Sequence, residues 1–129
     1  MSTTGDLLAA LCAHLNEFEL PAMASVHVSL SAPQVTVQLT RHDPSTIAQG
    51  LLAWADTLTQ VTAHAWRVPQ GNSVHLSVTG LLAGGASVLV YGGLWATHCS
   101  LGADLAPDAT TTIPLAALRH TATVEEVSA

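Results

Sequence analysis

Four residues, His27, His64, Trp66 and His75, have the types and spacing that could do chemistry. A neutral imidazole is an acid, a base or a nitrogen ligand for zinc or copper, and an indole is a flat apolar surface with one hydrogen-bond donor. All four alternate with Val, Leu or Ala along stretches of period two. In a strand that period sends neighbours to opposite faces, so the apolar set takes one face of a sheet and the His/Trp set is left on the other.

Each chemistry has a bland competitor. Metal ligation needs side chains that converge on one point about 2 Å away, whereas side chains on a pleated face stand side by side. The chain also lacks HExxH and CxxC spacings, so no metal or other cofactor is expected and the histidines read first as polar-face residues. Trp66 is the exception, because an aromatic with a donor among small polar neighbours is typical of an interface anchor. Its competing reading is packing beneath the segment that follows Tyr91. Trp54 and Trp95 are expected in the core or at its edge, the first by its helix position and the second as the anchor of a Gly-rich stretch.

Other candidate sites fall away. His98 and Cys99 are adjacent, and adjacent side chains diverge, so they do not make a nucleophile and base even with Asp104 and Asp108 near in sequence. Gly80, Gly84-Gly85 and Gly92-Gly93 fit neither GxxxxGK nor GxGxxG and read as turn glycines. No carboxylates pair at a catalytic spacing: Asp43 serves as a cap and Asp56 lies late in a helix as a solvated residue. No catalytic residue is assigned, and an enzyme using histidine as acid or base is the weakest reading.

Composition narrows the partners. The chain has 129 residues with a formal net charge of −6, and its three cations are Arg41, Arg67 and Arg119. Phosphate-rich partners need cations, so nucleic acid and anionic membrane surfaces are excluded as expected partners. Only 9% of residues are charged, against roughly 25% in ordinary soluble domains. Such a neutral surface does little to resist self-association. Cys12 and Cys99 imply no disulfide framework, and Cys12 is expected on the apolar side of a helix as a small hydrophobe. Residues 1–6 carry no cationic leader, and the apolar stretch after them is broken by His14, Asn16 and Glu17, so cytoplasmic residence is expected. The preference for Ala, Gly and Arg over Lys points to a bacterial coding sequence.

The elements that position the stripe follow from periodicity. Leu7, Leu8, Leu11, Leu15 and Phe18 recur at helical spacing, which predicts a helix over 6–19 capped by Thr4 or Asp6 and stopped by Pro21. Residues 25–30 and 35–40 alternate around a turn containing Pro33, a hairpin. Asp43-Pro44 predicts a helix start, with Ile47, Leu51, Ala55 and Leu58 as its inward stripe and Gly50 at a close approach to the sheet. Strands are expected at 61–68, 73–81 and 86–91, and a short helix at about Thr112-Ile113-Pro114 onwards.

The order α-ββ-α-βββ-α predicts an α+β fold: about five strands, mostly antiparallel, with helices packed on one face. Residues 1–121 are expected to form one domain and 122–129 a flexible tail, where Glu125 and Glu126 are simply solvated. The functional expectation is a non-catalytic interaction or regulatory accessory domain, self-associating as a homodimer or binding a protein partner through an exposed sheet face or edge. The alternative is a small-ligand binder that uses His27, His64, Trp66 and His75 as its contacts.

Overall fold

Where the apolar period changes from helical to two, helix gives way to strand, and this happens twice before residue 60. A computed structural model describes residues 3–30, 33–40, 43–97, 101–102 and 104–123. The elements run α1 (Thr4–Glu17), β1 (Met23–Ser29), β2 (Gln34–Leu39), α2 (Pro44–Ala55), β3 (Thr59–Arg67), β4 (Ser73–Leu81), β5 (Ser87–Trp95), β6 (Thr110–Ile113) and α3 (Leu115–Thr123). They form an α+β fold whose sheet is ordered β1-β2-β5-β4-β3-β6. Every neighbouring pair is antiparallel except β2 and β5, which run parallel. The hairpins β1-β2 and β3-β4, separated in sequence by α2, are joined in space by β5.

The helix starts follow their caps. Thr3 caps α1 through a reciprocal pair: its Oγ1 accepts from the Asp6 N–H and Asp6 Oδ2 accepts from the Thr3 N–H, each at 3.1 Å. The cap therefore lies one residue before the expected Thr4, with Asp6 as its partner in the capping box. α2 begins as expected, with Asp43 Oδ1 accepting from the Thr46 N–H at 3.0 Å and Pro44 in its first turn.

Alternation places Val35, Val37, Val74, Leu76, Val78, Val88 and Val90 on the helix side of the sheet, each fully buried. Ile47, Leu51, Ala55 and Leu58 of the α2 stripe meet them, and Trp54 is wholly enclosed. Two glycines let α2 sit close. A Cβ on Gly92 would stand 2.7 Å from Ile47 Cγ2, and one on Gly50 would stand 3.0 Å from Leu39 Cδ1. The close approach expected of Gly50 is present.

Three expectations need correction. Cys12 is exposed, not on the apolar side of α1. The buried line is Leu7, Leu11 and His14, and position 12 lies about 100° around the helix from position 11. β5 continues to Trp95 instead of stopping at Tyr91, and Trp95 is 45% exposed. The reason is that period two carries Trp95 to the same side as Tyr91, away from the helices. Thr110–Ile113 is a sixth strand, paired antiparallel with β3, and the last helix begins after Pro114. A run of Thr shows no alternation, so only its β-branching hinted at a strand. α3 runs to Thr123, and the rest of the expected tail lies outside the described residues. Arg41, His98, Cys99, Glu125 and Glu126 lie outside the described residues.

Candidate functional site: the open face of the sheet

All three helices lie on one side, and among the described residues the opposite face of the sheet has no covering element. Its side chains are those of the odd-numbered residues of β4 and β5 and the even-numbered residues of β2 and β3. Most are Ser, Thr or Gln. Of the chain's three Trp, one Tyr and one Phe, this face holds Trp66, Tyr91 and Trp95.

Register brings the aromatics together. Trp66 pairs with His75, and His75 with Gly93, while His64 pairs with Ser77 and Ser77 with Tyr91. The Trp66 and His75 rings meet edge to face, with centroids 5.1 Å apart and planes at 79°. His75 then stacks on Tyr91, one row along, at 5.1 Å and 22°. Gly93 opposite His75 leaves that diagonal open for the imidazole. The row Trp66–His75–Tyr91 borders a shallow depression of about 380 Å³ whose lining also includes Ser77 and Leu89.

One end of the row is fixed from outside the sheet. Trp66 Nε1 donates to Asp108 Oδ1 at 3.1 Å. Asp108 takes a left-handed backbone, φ 67°, a conformation Asp tolerates because its short side chain bonds locally. Its N–H donates to the Arg67 carbonyl at 2.8 Å, and the Arg67 N–H donates to the Ala109 carbonyl at 3.0 Å. The Arg67 guanidinium adds bonds to the Gly71 and Leu105 carbonyls, both 2.9 Å. The packing expected of Trp66 is therefore partial: the segment before β6 ties its N–H at the rim and leaves it half-buried.

The four residues predicted for this face do not form one group. His64, Trp66 and His75 share a region, but His27 sits on β1, paired with Thr36. Between β1 and β4 lie β2 and β5, so His27 is about 14 Å from the His75 strand at the usual strand spacing. The three imidazoles therefore cannot meet at one point, and among the described residues no group of three His, Cys, Asp or Glu side chains comes together. Trp95 was missed because β5 was read as ending at Tyr91, whereas Leu89 and Tyr91 lay inside the expected strand and were not assigned to the open face. The strand's alternation of apolar with Ser, Leu and Tyr was the available signal.

A second hollow, of about 410 Å³, opens between α1 and the β4-β5 turn, lined by His14, Glu17, Phe18, Thr57 and residues 81–85 among others. His14 is buried, 5% exposed. Its ring stacks on Trp54 at 5.6 Å and tilts against Phe18 at 4.8 Å. Its Nε2 lies 2.7 Å from Thr57 Oγ1, which itself donates to the Trp54 carbonyl at 2.8 Å. The Thr57 proton is thus committed to the backbone, so Nε2 is the donor to the hydroxyl. That polarity is the reverse of a base activating a nucleophile. Burial lowers the proton affinity of His14, against a smaller opposing pull from Glu17. The pair is a structural plug. Its sequence signal was position: His14 follows Leu7 and Leu11 on the inward line of α1.

No helix among the described residues is long and apolar enough to cross a membrane. No family model matches the chain, and no curated protein or solved structure does either.

Proposed function

We propose that this chain is a non-catalytic interaction domain that associates with a second copy of itself through the open face of its sheet. The observation that carries the reading is the placement of Trp66, Tyr91 and Trp95 on that face. Trp and Tyr supply large contact area at small entropic cost and dominate binding energy at interfaces, most effectively near the centre of a patch ringed by polar residues. Here the Trp66–His75–Tyr91 row lies over the inner strands β3, β4 and β5, with Ser, Thr and Gln around it.

Size and charge agree. Strands of four to nine residues on a sheet of six offer a face of about 700 Å², so two copies would bury about 1,400 Å², a standard interface. None of the residues on the face of β2, β3, β4 or β5 is Asp, Glu, Lys or Arg, so the centre of the face brings no like charges together, and Asp108 stands at its rim beside Trp66.

Sedimentation of the full chain and of Trp66→Ala tests the reading. A wild-type assembly that Trp66→Ala halves in mass is the expected result. A wild-type chain that stays monomeric at about 100 μM, or a mass unchanged by Trp66→Ala, overturns it. The depression beside Trp66, His75 and Tyr91 supports a second reading, a planar small molecule stacked on the rings. Native mass spectrometry separates the two, because a retained small molecule adds mass to the subunit and a second copy doubles it.

A further inference from the structure

The two edges of the sheet are not alike. β6 is four residues long and is followed at once by Pro114. Shortness and proline are the usual devices that keep an edge from recruiting another strand. β1 is seven residues long, and from Met23 to Leu30 the chain has neither proline nor a charged residue. Its register against β2 breaks between Met23 and Ser25 and is then continuous from Ser25 to Ser29. From Ser25 onward β1 is a regular strand, and among the described residues no other strand lies on its outer side, with no lysine anywhere in the chain to guard it.

Exposed apolar residues gather on the same flank. Among the described residues the exposed large hydrophobics are Leu8 at 40%, Val26 at 38%, Leu30 at 53% and Trp95. Val26 pairs with Val37, so it points to the helix side of the sheet, where it stays partly open to solvent. Leu30 follows β1 directly. α1 packs on β1 and β2, and its Asp6, Leu7 and Ala10 turn toward the β4-β5 turn at residues 83–86. Leu8 lies about 100° around the helix from Leu7 and about 160° from Ala10, which directs it away from that turn, to the β1 side.

We infer that β1 pairs antiparallel with β1 of a second copy about a twofold axis at His27, joining two sheets into one of twelve strands. The axis falls at the centre of the unbroken stretch: His27 meets the partner copy's equivalent residue, and Val26 meets the position of Val28. The valines then form cross-strand pairs beneath two α1 helices whose Leu8 side chains close the seam. The rotation keeps both helix layers on one side and both open faces on the other. A strand of about 24 Å, with a sheet and helix layer together about 20 Å tall, buries close to 1,000 Å² in total, the lower size of a specific interface. This seam is separate from the open face. With both in use the assembly is a tetramer of two twelve-stranded sheets packed face to face.

Cysteine cross-linking reads the seam directly. In the full chain with Cys12→Ser and Cys99→Ser, His27→Cys places two thiols opposite each other across the axis, at a Cα separation of about 5 Å that a disulfide spans. Ser25→Cys places them about 13 Å apart, beyond disulfide reach. Rapid oxidation of His27→Cys to a covalent dimer, with Ser25→Cys left uncoupled, is the expected result. Equal coupling of both, or none, overturns the inference. Sedimentation adds an independent reading, since His27→Lys sets two ammonium groups against each other at an exposed site and Thr111→Lys does the same on the β6 edge. The mass should halve in the first and hold in the second, with circular dichroism unchanged in both. A folded His27→Lys protein of wild-type mass overturns the seam whatever the outcome at Trp66, and loss of mass in Trp66→Ala alone upholds the face and not the edge.

Discussion

The molecule contains two His–Trp pairs, and they behave as opposites. His14 and Trp54 stack at 17° inside the core, where Trp54 is fully buried and its Nε1 has no partner among the described residues. His75 and Trp66 meet at 79° on the open face, and there the indole N–H is satisfied by Asp108. The same two side chains thus serve as a core plug in one place and as a surface patch in the other. What differs is the element beneath them. Helical spacing turns His14 and Trp54 inward with their apolar neighbours, whereas the two-residue period of β3 and β4 turns Trp66 and His75 away from theirs.

The largest expected contrast lies in the tryptophans. Trp54→Ala removes a wholly enclosed side chain from the core and should cost about 3–5 kcal/mol. Trp66→Ala should cost less than about 1 kcal/mol of subunit stability while removing self-association. Urea denaturation at a fixed low protein concentration measures both, and equal losses would erase the distinction. Next in size is Gly92→Ala on the helix side, whose methyl meets Ile47 at 2.7 Å and should cost about 1–3 kcal/mol through overpacking. Ser77→Ala, on the open face of the neighbouring strand, should stay within about 0.5 kcal/mol.

The histidines give the smallest contrast, and pH reads it. Because burial lowers the proton affinity of His14, the folded protein resists a proton that the unfolded chain accepts near the ordinary value of 6.5. Above that pH the ring is neutral in both states and contributes no slope. As pH falls below it, the unfolded state gains the proton first, so stability is lost until the folded-state value is also passed. His14→Gln keeps a donor for Thr57 and should flatten that part of the stability–pH curve. A slope insensitive to His14→Gln would show that the plug does not titrate as described.

Much of this architecture was legible in the residues. Asp43-Pro44, the α2 stripe from Ile47 to Leu58, the full extent of β4 and the separation of His64, Trp66 and His75 from the apolar set all follow from local chemistry and period. Elements without an alternating contrast were not legible. Gly92-Gly93 hid the second half of β5, because glycine carries no signal of which side it faces, and so Trp95 was assigned to the wrong layer. The threonines of β6 hid a strand for the same reason. The place of His14 on the inward line of α1 was available in the spacing, but its partner was not, since Thr57 lies in the turn after α2.

By itself, then, the sequence determined which strand side chains go in and which go out wherever alternation is unbroken, because that depends on period alone. It determined the start of α2 as well, because its cap is local. Only the tertiary structure decided that β5 runs between β2 and β4, that this brings Tyr91 beside His75 while His27 is carried to the far edge, and that β1 is left as the unguarded end. Strand order depends on which apolar surfaces find each other across long stretches of chain, and no local spacing encodes that choice.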